Sequence, residues 1–186
     1  MEGTESIPSG QTNRDDLYQE AVAQFGPALA RLARAYEADP EKRRDLIQDI
    51  HFQLWRSFQT YDGRCSLRTW TYRVAHNVGA SHIIRQRRIL SRLVSLEDLD
   101  AFPDRAAGPA AADRRLNLDR LSALIRKLKP LDRQVVVSYL EGIDATSIGE
   151  IAGLSPARVA MRIHRIKSLL AKQFHKEGHS GDHDAG

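Results

Sequence analysis

The sequence predicts an all-α protein made of two small helical domains joined by a flexible linker. Apolar residues recur at helical spacing along most of the chain, and alternating strand patterns are no longer than a few residues. Between residues 93 and 115, proline, glycine and an alanine run replace any periodic apolar face. With 186 residues, 41% of them hydrophobic, the chain can bury two small cores. We therefore predict domains at 15–92 and 116–174, a linker at 93–115, and disordered tails at 1–14 and 175–186.

The first domain is predicted to contain three helical segments. The first is a helix or helix pair interrupted near Gly26-Pro27. The second begins after Asp39, a suitable N-cap that is followed by Pro40 at the first helical position. Its apolar side chains recur every four residues, at Leu46, Ile50, Leu54 and Phe58. The third helix is capped by Ser66 and runs to about Arg88.

The second domain is predicted to end in three helices, at 132–141, about 145–152 and 156–174. The β-branched run at 135–137 resembles a strand, but the apolar residues around it keep helical spacing. The turn Gly153-Leu154-Ser155 between the last two helices is the connection that a helix-turn-helix needs. These features predict a helix-turn-helix at the end of the domain.

Basic residues are segregated along the chain. Residues 61–92 contain seven basic and one acidic side chain, and residues 120–174 contain ten and four. On the last helix, Arg158, Arg162 and Arg165 lie at i, i+4 and i+7, as on a helix that enters the major groove. Such clusters favour contact with a polyanion, although a basic face is often simply solvated. We therefore predict nucleic-acid binding by both domains, with a helical hairpin bearing a basic solvent face as the alternative.

Several classes of protein are disfavoured by the composition. No stretch approaches the roughly 20 apolar residues of a membrane helix, and the first residues lack a signal-peptide pattern. We expect a cytoplasmic protein without membrane insertion. Cys65 is the single cysteine, so no internal disulfide or thiolate cage can form. The seven histidines are scattered without a recognisable catalytic motif, and we expect no enzyme activity, no metal and no cofactor.

Three runs of sequence resemble a known family. Asp45-Leu46-Ile47-Gln48-Asp49-Ile50, followed by Leu54-Trp55, resembles the second conserved region of extracytoplasmic-function, or group IV, sigma factors of the sigma-70 family. Residues 66–77, which read SLRTWTYRVAHN, are similar to the signature that follows it. Residues 142–170 are similar to the family's fourth region. The order of these motifs and the variable linker between them make the resemblance specific.

The resemblance implies an alternative sigma factor that binds core RNA polymerase and directs promoter-specific transcription initiation. Domain 15–92 would be sigma region 2 and domain 116–174 sigma region 4. The beta-prime clamp helices would be bound by Asp45, Leu46, Gln48, Asp49, Phe52 and Trp55. The minus-ten element would be recognised and melted by Arg64, Arg68, Trp70, Arg73, Asn77, Arg85, Arg87 and Arg88. Tyr72 would add a flat surface for unpaired bases.

Region 4 would supply the upstream contacts. The minus-thirty-five element would be contacted by six residues of the last helix. Base edges would be read by Arg158, Met161, His164 and Arg165, and phosphates would be bound by Arg162 or Lys167. The beta flap of the polymerase would be a second partner of this region. Because many relatives are held inactive by an anti-sigma factor, such a protein is a further candidate partner.

The sequence departs from the family pattern at several positions. Ala160 and Met161 stand where a basic residue and serine are common, which removes polar donors from the reading face. Gly149 replaces an alanine, and Ser81 replaces a frequent aspartate. Lys42-Arg43-Arg44 stands where acidic residues are usual. The promoter sequence is therefore not inferred from relatives.

A conventional helix-turn-helix regulator is the alternative function. Its first domain would sense a ligand and form a dimer through a self-complementary interface. Such a dimer would bind a palindromic operator without polymerase. Binding to double-stranded DNA in the absence of core enzyme would distinguish the two functions.

Overall fold

The structure, a computed structural model, describes residues 9–93 and 111–179, and these residues form seven helices and no strand. The helices are α1 (Ser9–Tyr36), α2 (Pro40–Ser57), α3 (Leu67–Leu93), α4 (Ala111–Lys127), α5 (Pro130–Leu140), α6 (Ala145–Ala152) and α7 (Pro156–His179). The predicted all-α class is confirmed. We refer to α1–α3 as the first domain and to α4–α7 as the second, although α4 packs against α1 as well as against α5 and α7.

Helix α1 continues through Gly26-Pro27, so the predicted interruption was wrong. A proline inside a helix removes one backbone hydrogen bond and costs about 3 kcal/mol. The residue before a proline is normally forced out of helical geometry by its own side chain, and Gly26 has none. Leu29 and Leu32, in the turn after the proline, are buried in the core and hold the helix together.

Several helices are longer than the sequence suggested. Residues 9–14 belong to α1 and residues 175–179 belong to α7, although both were assigned to disordered tails. Helix α4 starts inside the predicted linker, and its existence as a helix was not predicted. Residues 94–110, which make up most of the predicted linker, and the outer parts of both predicted tails lie outside the described residues.

The core of the first domain is formed where α1, α2 and α3 pack against one another. The predicted stripe of α2 lies in it, because Leu46, Ile50, Leu54 and Phe58 are all buried. The predicted N-cap is also confirmed, since the Asp39 side chain accepts hydrogen bonds from the backbone N–H groups of Glu41 and Lys42. These two bonds fix the start of α2.

The second domain packs α5, α6 and α7 around Val135, Ile148, Val159 and Ile166. The turn between α6 and α7 has the predicted form. Gly153 ends α6 with φ 68°, a left-handed conformation that suits glycine. The Ser155 side chain accepts a hydrogen bond from the backbone N–H of Arg158 at 3.4 Å. The helix-turn-helix prediction is confirmed.

Gly149 is held at a close approach inside this turn. A Cβ at this position would lie 2.5 Å from the backbone carbonyl oxygen of Leu154. We expect Gly149→Ala to lower the free energy of unfolding by up to about 2 kcal/mol, because the overpacking cost of about 1–3 kcal/mol outweighs the helix-propensity gain of about 1 kcal/mol. Urea unfolding measures this. Thr146→Ala, an exposed change on the same helix, is the control and should stabilise slightly; similar gains from both would show that the turn adapts.

Candidate nucleic-acid and polymerase interface

One face of α2 combines an exposed aromatic ring with polar groups. Phe52 is 56% exposed, and Asp45 and Gln48 lie on the surface near it, with Asp49 half-buried. Leu46, which was predicted to contact polymerase, is 0% exposed. That prediction was wrong because Leu46 lies on the buried row of the helix. Phe52 is therefore the apolar group that α2 offers to a partner.

Trp55, also predicted to bind polymerase, is covered by the start of α1. The guanidinium of Arg14 lies 3.7 Å from the centroid of the Trp55 ring, and the indole N–H donates to the Asp15 carboxylate at 2.8 Å. The indole is half-buried as a result. This contact was not predicted, because residues 1–14 were assigned to a disordered tail.

A polar pocket of about 430 Å³ lies between α2 and α3. The exposed side chain of Asn77 opens into it from α3. Across the pocket, Arg85 pairs with Asp49 at 3.4 Å. The amide of Asn77 can both donate and accept hydrogen bonds, as reading the edge of a base requires. This pocket brings the predicted Asn77 and Arg85 together.

The two aromatic residues predicted to stack on bases are not equally accessible. Tyr72 is 1% exposed and packs edge-on against Phe25, so the prediction that it offers a flat surface was wrong. Trp70 is half-buried, with its indole N–H donating to Ser57 Oγ at 2.9 Å. The two rings lie on different sides of α3, because residues two positions apart on a helix point in nearly opposite directions: Tyr72 faces α1, and Trp70 faces the end of α2.

Two of the predicted minus-ten arginines contact the second domain. Arg68 donates to the backbone carbonyl of Glu141 at 2.5 Å, and Arg73 donates to that of Glu150 at 3.1 Å. These carbonyls lie at the C-terminal ends of α5 and α6, where helix dipoles attract cations. Arg31 also binds the Glu141 carboxylate with two hydrogen bonds, of 2.7 and 2.6 Å.

A buried histidine connects the two domains. His76 Nδ1 lies 2.9 Å from the Tyr36 hydroxyl, and its Nε2 lies 3.0 Å from Ser138 Oγ. His76 and Ser138 are both buried, and burial lowers the pKa of the imidazole to about 3. Nearby, the guanidinium of Arg133 lies 5.4 Å from the Tyr36 ring centroid. The sequence did not predict this interface, because its partners are more than 60 residues apart.

The remaining minus-ten arginines lie on the surface. They are Arg64, Arg85, Arg87 and Arg88. Arg64 precedes α3 and forms an ion pair with Asp62 at 2.9 Å, whereas the other three follow one another along the second half of α3. Three of the predicted minus-ten arginines therefore form an exposed cationic surface on the second half of α3.

The six residues predicted to contact the minus-thirty-five element do not share one face of α7. Arg158, Met161, Arg162 and Arg165 line a shallow concavity of about 350 Å³. His164 and Lys167 line a different groove, where the Lys167 ammonium lies 5.7 Å from the Tyr139 ring centroid. The first group surrounds the start of α7, as expected for a recognition helix.

Asp132 of α5 is a contact of the recognition face that the sequence did not predict. Its two carboxylate oxygens accept hydrogen bonds from Arg162 at 2.5 Å and Arg165 at 2.9 Å. Within residues 9–93 and 111–179, no group of three or more potential metal ligands is found. Over the same residues, no helix is long and apolar enough to cross a membrane.

Comparisons with known proteins identify the family. The protein-family model for sigma-70 region 2 matches residues 21–89 of the sequence. The chain is 31% identical to the ECF RNA polymerase sigma factor SigE of Mycolicibacterium smegmatis, over 83% of this chain and 62% of SigE. It is 27% identical to the RNA polymerase sigma factor CnrH of Cupriavidus metallidurans, over 83% of this chain and 84% of CnrH.

A solved structure shares the fold. It is the sigma factor RpoE of Bartonella quintana in complex with the anti-sigma factor NepR. The two chains superpose with a TM-score of 0.68 at 16% identity, over 85% of this chain and 96% of RpoE. Together with the two helical domains and their cationic faces, these matches show that the chain belongs to the extracytoplasmic-function group of the sigma-70 family.

Proposed function

We propose that this chain is an alternative sigma factor that binds core RNA polymerase through α2 and directs it to promoters through α3 and α7. The observation that best supports this is the combination of two cationic helical surfaces in separate domains with an exposed aromatic residue on α2, Phe52. The protein acts in the cytoplasm as a binding subunit of the polymerase rather than as an enzyme. A region of this kind needs polymerase contact and DNA contact on different faces, as α2 and α3 provide.

Recognition of the minus-ten element is assigned to the second half of α3 and its pocket. Arg85, Arg87 and Arg88 hold the phosphates of the separated strand, and Asn77 reads an unpaired base in the pocket that α2 and α3 share. Base capture offsets part of the stacking free energy that is lost when the duplex opens. Trp70 has a supporting role, because its indole is fixed to Ser57.

Arg68 and Arg73 can contact DNA only after the two domains separate. Each donates one hydrogen bond to a backbone carbonyl of the second domain, and the Nε–H group of each is buried with no partner among the described residues. A buried N–H group without a partner costs about 1–3 kcal/mol. DNA phosphates would satisfy these donors better than the carbonyls do. We propose that polymerase binding and DNA binding draw the domains apart.

An anti-sigma factor is a proposed partner. The related RpoE was solved in complex with the anti-sigma factor NepR, which supports the same kind of regulation here. In the packed arrangement of the two domains, Arg68 and Arg73 are already withheld from DNA. A protein that stabilises this arrangement would keep the sigma factor inactive.

Run-off transcription tests the proposal directly. Purified chain and core polymerase are incubated with genomic promoter fragments, and we expect transcripts from a small set that core polymerase alone does not produce. Gel filtration is run in parallel, and we expect co-elution with core polymerase. A dimer that binds double-stranded operator DNA without core polymerase would contradict the proposal and support the conventional regulator.

Arg87 provides a prediction about the phosphate contacts. We expect Arg87→Ala to weaken binding of the holoenzyme to all promoters alike and to reduce the slope of log K against log salt by about 0.7–0.9, the loss of one phosphate contact. Promoter binding measured from 50 to 200 mM salt gives this slope. The control is Arg44→Ala, an exposed arginine on α2 that pairs with Glu41. An equal change of slope in both variants would place the DNA elsewhere.

A further inference from the structure

Asp132 lies beneath the recognition face of α7 and is too buried to bind DNA itself. It is the third residue of α5, and its side chain is 9% exposed. One carboxylate oxygen accepts from Arg162 Nη1 and the other from Arg165 Nη2. A carboxylate this deeply buried is tolerated because both oxygens are paired with cations.

The two arginines are engaged to different extents. The Arg162 side chain is 32% exposed and takes the shorter contact, whereas the Arg165 side chain remains 59% exposed. A guanidinium has five N–H donors, so Arg165 keeps donors that face outward beside Met161. Arg165 is therefore held at its inner edge and available at its outer edge.

Holding an arginine in this way favours base reading over phosphate binding. A free arginine loses rotamer freedom when it binds, and this ordering costs about 0.5–1.5 kcal/mol for each side chain. Asp132 restricts the conformation of the Arg165 side chain before DNA binds. A bidentate hydrogen-bonded contact with guanine requires such a fixed, planar guanidinium. The negative charge of the carboxylate also repels a phosphate. This repulsion weakens binding of Arg165 to the DNA backbone, a contact that has no sequence preference.

We infer that Asp132 is a positioning residue that sets base specificity at the minus-thirty-five element. Its carboxylate accepts hydrogen bonds from both Arg162 and Arg165, and it thereby holds Arg165 in place. This inference rests on the proposed function, because it requires α7 to read promoter DNA. It adds a specificity determinant from outside the recognition helix. The same contact explains how α7 can lack polar donors at Ala160 and Met161 and still discriminate between bases.

The test uses the full chain with core polymerase and a library of DNA duplexes whose minus-thirty-five element is randomised. Asp132→Asn keeps the size of the side chain and removes its charge. We expect the ratio of affinities for selected and unselected duplexes to fall roughly five- to tenfold, the loss of one oriented base contact. We also expect a steeper salt dependence, because the released arginines bind phosphates. Asp132→Glu should restore part of the ratio.

Two further variants separate positioning from a purely structural role. Asp144→Ala removes the N-cap of α6 in the same domain, and it should lower both affinities together without changing their ratio. In an Arg165→Gln background, Asp132→Asn should have no further effect on the ratio. This second comparison remains informative even if Asp132→Asn lowers the thermal stability of the domain.

The outcomes also distinguish this inference from the proposed function. An unchanged ratio in Asp132→Asn, or an effect that persists in the Arg165→Gln background, would overturn the positioning role and leave the sigma-factor function intact. A wild-type holoenzyme that selects no sequence from the library would overturn the proposed function, and the inference with it.

Discussion

Replacing Phe52 with alanine is expected to weaken binding to core polymerase about 30-fold, or about 2 kcal/mol, with little change in the free energy of unfolding. Phe52 is the large apolar side chain that α2 exposes among polar neighbours, at 56% exposure. An aromatic ring at the centre of a polar surface is the usual anchor of a protein interface. Its removal exposes no core atoms, so the fold should lose less than about 0.5 kcal/mol.

Phe58 is the matched control, one and a half turns further along the chain. It is 4% exposed and packs in the core of the first domain. Phe58→Ala should lower the free energy of unfolding by about 3–5 kcal/mol. Affinity can be measured by competition for core polymerase, and stability by urea unfolding. If Phe52→Ala destabilises the chain but binds polymerase normally, α2 docks by another face.

The contrast between these phenylalanines shows what a periodic pattern can predict. The four-residue spacing identified the buried row of α2 correctly, because a helix brings every fourth side chain to nearly the same face. The same helix also contains the polymerase-binding motif, and Leu46 was assigned to both roles. Burial decides between them, since a side chain that the core encloses cannot contact a partner.

Caps and turns were predictable for a related reason. Asp39, Ser66 and Ser155 accept hydrogen bonds from backbone groups only two or three residues away. Local geometry of this kind is set by neighbouring residues and is visible in the sequence. The contact of Arg14 with Trp55 joins residues 41 positions apart, and its existence depends on where α1 crosses α2.

The interface between the two domains was the largest feature that was not predicted from the sequence. Arg68 and Arg73 look like DNA-binding residues in the sequence, because nothing local indicates that helix ends of the other domain lie beside them. A backbone carbonyl and a phosphate both accept hydrogen bonds from a guanidinium. The residue type therefore predicted the chemistry of these side chains correctly but did not identify their partner in the isolated chain.

Acidification is expected to weaken the packing of the two domains through His76. Burial lowers the pKa of this imidazole to about 3, whereas an exposed histidine has a pKa near 6.5. Below pH 6.5 the unfolded or opened chain therefore binds a proton that the packed form refuses. The stabilisation is complete above pH 6.5 and is lost by up to about 1.4 kcal/mol for each pH unit as the pH falls toward 3. Urea unfolding at pH 7.5, 6.5 and 5.5 measures this slope.

His76→Gln isolates this contribution from those of other groups. The glutamine amide can still bond Tyr36 and Ser138 but does not titrate, so we expect a flatter dependence on pH. His51 retains its own effect in both proteins, because partial burial lowers its pKa too. The difference between wild type and His76→Gln is therefore due to His76 alone. If both proteins lose stability equally between pH 7.5 and 5.5, the imidazole must accept its proton without disturbing the domain interface.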